Sequence, residues 1–311
     1  MAHTRTTRRR WLAFFALTLT IVFVAAPARA GAEASAHYRQ GMAFKEQGKV
    51  AEAIAEFEKA VVDKPKHGMA WASLGHLYKK KGEFDKAVDA YEHATAIIAK
   101  DATLWSNLGM AYFRANRVDD ALAALVTSCR LDPKNAEVRA SIGTIKRQKG
   151  DIPGAIQQLR VAVKLAPKDA MHHNNLGIAL GAGKQNEEAR KQFEQAIALD
   201  GSVADFHFNL GVAYRRDEMV DEAIAAYSQA VALDPNKYQA WYDLGLMHRL
   251  NHDNDKALEA FGKYLEIARG KDPEADKRVE EEIDEMGGTV KAPDGKDKGK
   301  GKGKGKGKSP K

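Results

Sequence analysis

The chain has 311 residues, 44% of them hydrophobic and 29% charged, with a formal net charge of +7. Its one cysteine, Cys129, excludes an intramolecular disulfide. The charge sits at the ends: five arginines fall in the first 30 residues, and nine lysines follow Thr289 against only Asp294 and Asp297. Between them lie 35 basic and 40 acidic residues, which excludes a basic nucleic-acid-binding domain.

In chain order, Arg8, Arg9 and Arg10 precede the uncharged run from Trp11 to Ala26, followed by Pro27 and Ala28-Arg29-Ala30. A basic start, a short apolar run and an A-x-A ending predict an export signal over residues 1–30, cut after Ala30. The run has 16 residues, short of the ~20 that span hydrocarbon. Thr7-Arg8-Arg9-Arg10-Trp11-Leu12 also resembles a twin-arginine signal, and an uncut segment would anchor the chain to the inner membrane. The chain has no Asn-x-Ser/Thr site, and the expected location is a bacterial periplasm or exterior.

From residue 31 the sequence repeats. Gly41, Gly75, Gly109, Gly143, Gly177, Gly211 and Gly245 stand 34 residues apart. Twelve residues after each comes an alanine, from Ala53 to Ala257, and four further on a large apolar residue: Phe57, Tyr91, Leu125, Leu159, Phe193, Tyr227 or Phe261. A small residue usually follows three later, Tyr264 being the exception, and Pro65, Pro133, Pro167 and Pro235 close four units. Apolar spacings of three and four predict helices, the small residues let two helices approach, and proline separates one unit from the next. Gly48, Gly82 and Gly150 mark the turn inside a unit. A period of this length predicts a stacked array in which each unit buries its apolar face against its neighbours.

Trp71-x-x-Leu74-Gly75-x-x-Tyr78, then Ala87 and Tyr91, resembles the tetratricopeptide repeat family; Trp105, Leu108, Gly109 and Tyr112, and Trp241, Leu244 and Gly245, do so again. The resemblance implies an all-α, right-handed superhelical solenoid of seven helix-turn-helix repeats, in 34-residue units from Ala34 within residues 31–271. Arg139, Ile142 and Lys146 depart from the pattern, and a less tightly packed joint is expected there. Asp272-Pro273 opens a predicted capping helix over 272–288, with Ala275, Val279, Ile283 and Met286 on one face. Residues 289–311, mostly alternating Gly and Lys, lack core residues and are expected to be disordered.

Chemistry-bearing motifs are sparse. Gly181-Ala182-Gly183-Lys184 is no phosphate loop: five residues separate Gly177 from Gly183, and Gln185 stands where a hydroxyl residue is required. His172, His173 and His207 lack a metal-ligand spacing, and His173 and His207 share one repeat position, where packing is expected. No enzymatic activity, cofactor, metal or small-molecule substrate is expected.

In the tetratricopeptide family the first helices of the units line a concave face where partners bind. The resemblance places there the residues two before each glycine: Arg39, Ser73, Asn107, Ser141, Asn175, Asn209 and Asp243. Asn amides both donate and accept, which suits an extended peptide backbone, and the row resembles an incomplete form of the asparagine ladder of O-linked N-acetylglucosamine transferase. Four and five residues after the glycine comes a basic row, Lys45, Lys79, Lys80, Arg114, Arg147, Arg215, Arg216 and Arg249, broken at Gly181 and Ala182. It would favour acidic stretches of a partner, or simply complement the helix C-termini. Tyr38 and Met42 stand where a chaperone-tail carboxylate clamp needs Lys and Asn.

The expected function is therefore protein–protein interaction: capture of an extended peptide or helix by a cell-envelope scaffold. Two alternatives stand beside it: a tether whose cationic tail makes non-specific polyanion contacts, and an accessory subunit of an envelope enzyme or secretion complex. Without aromatic residues the tail cannot read bases, so no specific nucleic-acid partner is expected.

Overall fold

The computed structural model describes residues 31–289, and the predicted export signal and the Gly-Lys run after residue 289 lie outside them. The described residues form helices joined by short turns, without a strand. They fall into two compact units, one ending at Leu199 and the other beginning at Asp200.

The first unit holds α1 (31–46), α2 (Val50–Asp63), α3 (Gly68–Lys81), α4 (Phe84–Ile97), α5 (Ala102–Arg114), α6 (Val118–Leu131), α7 (Ala136–Gln148), α8 (Ile152–Leu165), α9 (Ala170–Ala182) and α10 (Asn186–Leu199). The second holds α11 (Ala204–Arg216), α12 (Val220–Leu233), α13 (Tyr238–Leu250), α14 (Asn254–Ala268) and α15 (Pro273–Glu285). No helix among the described residues is long and apolar enough to cross a membrane.

The repeating glycine and the large residue sixteen positions later form one contact. A Cβ on Gly75 would lie 2.8 Å from the Tyr91 ring, one on Gly177 2.6 Å from Phe193 and one on Gly245 2.5 Å from Phe261. The glycine removes the one carbon that would hold the two helices apart, and the partner side chain fills the gap. Ala53, Ala87, Ala121, Ala155, Ala189, Ala223 and Ala257 are all fully buried beneath it. Tyr264, which breaks the small-residue rule, is buried and donates its hydroxyl to Asp276 Oδ1 of α15 at 3.0 Å. Asp276 also accepts the Gly270 backbone N–H at 2.6 Å, while Asp272 caps α15 by accepting from Ala275 N.

The turn within each pair needs a left-handed residue. Gly48, Gly82 and Gly150 have φ of 73°, 79° and 83°, as their sequence positions suggest. The equivalent positions Asn116, Lys184, Glu218 and His252 adopt φ of 58–61° without being glycine. There the turn geometry overrides a local cost of about 1 kcal/mol.

A second device is invisible as a motif. At the position four before the glycine, Trp71 Nε1–H donates to Pro65 O, Trp105 to Ala99 O and Trp241 to Pro235 O, each six residues upstream. His173 Nε2 meets Pro167 O at 3.0 Å and His207 Nε2 meets Gly201 O at 3.1 Å with the same spacing. A ring N–H thus satisfies a turn carbonyl left over at a helix end. Nineteen residues on, Ala90, Ala124 and Ala260 leave room for the tryptophans, whereas Gln192 bonds His173 and Gln158 bonds Arg139. Gln158 meets only part of the Arg139 guanidinium, whose Nε stays buried without a hydrogen-bond partner, while Val138, Ile142 and Ile145 of α7 are buried.

Candidate partner-binding face

The odd-numbered helices α3, α5, α7 and α9 of the first unit carry most of the predicted site residues, and the two rows touch one another. Lys79 Nζ donates to Asn107 Oδ1 at 3.1 Å across 28 residues. In the second unit Arg215 donates to Asp243 Oδ1 at 3.0 Å, again 28 residues apart. The basic side chain at a helix C-terminus reaches the polar residue of the next odd helix, so these four residues are at least partly spent on joining repeats.

Other predicted residues are also engaged. Ser73 is buried and donates its hydroxyl to Met69 O in its own helix at 2.9 Å. Arg249 pairs with Glu282 and Glu285 of α15. Arg114 lies over the Phe84 ring, 5.1 Å from its centre. The residue that occupies the Lys79 position in the third pair is Phe113, so Arg114 is a neighbour of the basic row and leaves it for α4. Arg39 is exposed, and Asn209 is half-buried.

Ser141, Arg147 and Asn175 are not engaged in this way, and neither are Arg39 and Lys45 at the same repeat positions on α1. The first three are half-exposed and make no hydrogen bond or ion pair with another described residue. Ser141 has Phe113 at the position 28 residues earlier, which offers no donor. Arg147 and Asn175 stand in the same relation as Lys79 and Asn107 but are not bonded. Beside Ser141 and Asn175, α5, α7 and α9 border a cavity of about 180 Å³, lined among others by Met110, Phe113, Ser141, Met171, His172 and Asn175, but not by Arg147. His172 is buried, and its Nδ1 has no hydrogen-bond partner; the nearest carboxylate oxygen, Asp169 Oδ1, is 3.6 Å away.

A shallower apolar groove of about 580 Å³ runs along α8 past the turn after α9, bordered by Ile152, Ile156, Val161 and Gly183. Gly183, the one residue of the Gly181-Ala182-Gly183 stretch on its border, places no side chain there. The sequence signal for it was the rejected glycine-rich stretch, read for phosphate rather than for missing volume.

The electrostatics differ along the face. Burial first, and then the charges of Lys45, Lys79 and Lys80, hold the His76 imidazole below its ordinary value on α3. Burial pushes the Asp243 carboxyl above the usual carboxylate value, opposed by Arg215. Among the described residues no group of three His, Cys, Asp or Glu side chains is placed to hold a metal ion.

Residues 174–237 and 220–273 match the family model for the tetratricopeptide repeat, and residues 2–143 match the model for the C-terminal domain of cilia and flagella-associated protein 70. No curated protein matches the chain. Among solved structures, MamA (residues 41 to the end) from Desulfovibrio magneticus RS-1 is 29% identical, with a TM-score of 0.51 over 55% of this chain and 97% of that one. YrrB, described as a tetratricopeptide protein with an unusual peptide-binding site, is 22% identical, with a TM-score of 0.52 over 63% of this chain and 100% of its own. The C-terminal part of a tetratricopeptide protein from Cytophaga hutchinsonii reaches a TM-score of 0.63 at 17% identity, over 77% and 98% of the two chains. The last two likenesses concern the fold alone. With the glycine–aromatic contacts, the paired helices and the family matches together, this chain is a helical repeat protein of the tetratricopeptide type.

Proposed function

We propose that the chain is a non-enzymatic scaffold that holds an extended segment or helix of another protein against α5, α7 and α9. Repeat proteins of this type commonly serve protein–protein interaction, and a helical array offers a long surface in place of a closed pocket. The observation that carries the reading is the trio Ser141, Arg147 and Asn175, which make no hydrogen bond or ion pair with a described residue, two of them lining a cavity, while the equivalent pairs Lys79–Asn107 and Arg215–Asp243 are bonded. An amide, a hydroxyl and a guanidinium together can meet a peptide carbonyl, a peptide N–H and a carboxylate.

The export signal predicted over residues 1–30 supports a place in a bacterial envelope, either free after cleavage or held at the inner membrane by an uncut segment. The Gly-Lys run supports a secondary, salt-sensitive attraction to polyanions. The test is affinity capture from envelope extract by the full chain beside the double variant Asn175→Ala/Arg147→Ala. The expected result is a partner held by the first and lost by the second, with unchanged helical circular dichroism. Equal capture by both would sink the reading; loss only on deleting the residues after Gly288 would move the function to the tail.

A further inference from the structure

We propose that the cavity between α5, α7 and α9 is an anchor subsite for one apolar side chain of an extended segment that carries a basic residue on one side of the anchor and an acidic residue on the other. The proposal deepens the scaffold reading above and rests on it.

Size comes first. About 180 Å³ is below the range of small-ligand pockets and suits a single side chain. The walls are Met110, Phe113 and Met171, and the two methionines are flexible enough to close around different apolar shapes. Met171 is 51% exposed, a large apolar side chain standing at the rim. His172 supplies the second observation: it lines the cavity, and its buried Nδ1 has no hydrogen-bond partner, Asp169 Oδ1 standing 3.6 Å away. A peptide main chain following its anchored side chain brings polar groups.

Charge gives the rest of the occupant. Glu137, at the start of α7, borders the cavity, is exposed and makes no hydrogen bond or ion pair with a described residue. Arg147, near the end of α7, is equally unpaired. Its equivalents Lys79 and Arg215 reach the residue 28 positions on, which for Arg147 is Asn175 on the cavity wall. Ten helical residues separate Glu137 from Arg147, about 15 Å along the axis. An extended chain covers that distance in about five residues. A basic residue facing Glu137, an apolar anchor in the middle and a carboxylate facing Arg147 therefore match the helix from end to end.

The full chain, labelled with carbon-13 at the methionine methyls, reports on this directly, with Met110 and Met171 assigned by Met110→Leu and Met171→Leu. The probe is the capped peptide Gly-Lys-Gly-Leu-Gly-Asp-Gly at millimolar concentration. The expected result is a saturable shift of Met110 and Met171, with affinity falling about tenfold or more when the peptide leucine becomes alanine. Replacing the peptide aspartate by lysine should weaken binding to the natural chain and restore it to Arg147→Glu. Shifts indifferent to the leucine, or no rescue by the charge exchange, would overturn the proposal. Shifts confined to Met42 or Met69 would also overturn it while leaving peptide binding to the odd helices intact. No shift at any methionine would overturn the anchor, and envelope capture by the natural chain would then decide the scaffold reading separately.

Discussion

The α7–α9 region and the α11–α13 region present the same two repeat positions in opposite states. At Arg215 and Asp243 the positions are closed: the guanidinium is bonded to a buried carboxylate, with Tyr227 packed close by. At Arg147 and Asn175 they are unbonded, and Asn175 lines a cavity. A row of polar residues at equal spacing is therefore not a row of equal binding groups. One pair joins repeats and the other is available.

The widest test asks whether the two regions share their interior. Gly177→Val and Gly245→Val each force a branched side chain into a ring already within 2.6 Å and 2.5 Å of a Cβ. Each should cost about 3 kcal/mol in urea denaturation followed by circular dichroism. A tolerated valine at either site would show that the helices can separate there, and the comparison would then concern interiors as well as surfaces.

The next test breaks the comparison at the surface. Arg215→Ala leaves Asp243 buried without its partner and should cost about 2 kcal/mol. Arg147→Ala removes no bond to a described residue and should stay within about 0.5 kcal/mol. Equal losses would mean that Arg147 is structural after all.

The finest test is pH. Burial raises the Asp243 pKa above 3.8, so the folded chain holds that proton more tightly than the unfolded one. Stability attributable to this group is then greatest in acid and falls as pH rises from about 4 through the raised value. Asp243→Asn should remove that part of the fall in urea midpoints measured from pH 4 to 7. His248 provides the opposite sign: burial lowers its pKa from 6.5, so its share of stability is present above that value and lost as pH falls below it.

Much of the fold was legible because it depends on spacing. The glycines at 34-residue intervals and the large residues sixteen later encode a contact between helices that only small-against-large packing satisfies. The left-handed turns at Lys184 and Glu218 were not legible, because neither residue type favours that conformation, whereas Asn116 and His252 are of types that tolerate it. The ring-to-carbonyl bonds were hidden for another reason: Trp71 and His173 look unlike as hydrophobic residues and alike only as N–H donors. For the site, the sequence located the two rows but not their state. Whether Lys79 meets Asn107 depends on side-chain reach across neighbouring helices, a distance that repeat position alone does not contain. The cavity depended on Phe113 standing where a cation was expected, a difference lost when positions four and five after the glycine were read together.

The bonds from Trp71, Trp105 and Trp241 to turn carbonyls six residues upstream have an evolutionary consequence. Their acceptors are main-chain atoms, present whatever residue occupies the turn, so a duplicated or deleted 34-residue block carries its own fastening with it. The bonds from Lys79 to Asn107 and from Arg215 to Asp243 are different, since each requires a particular neighbour. The chain thus combines universal joints, which let an array grow, with matched joints, which fix the order of the copies once they have diverged.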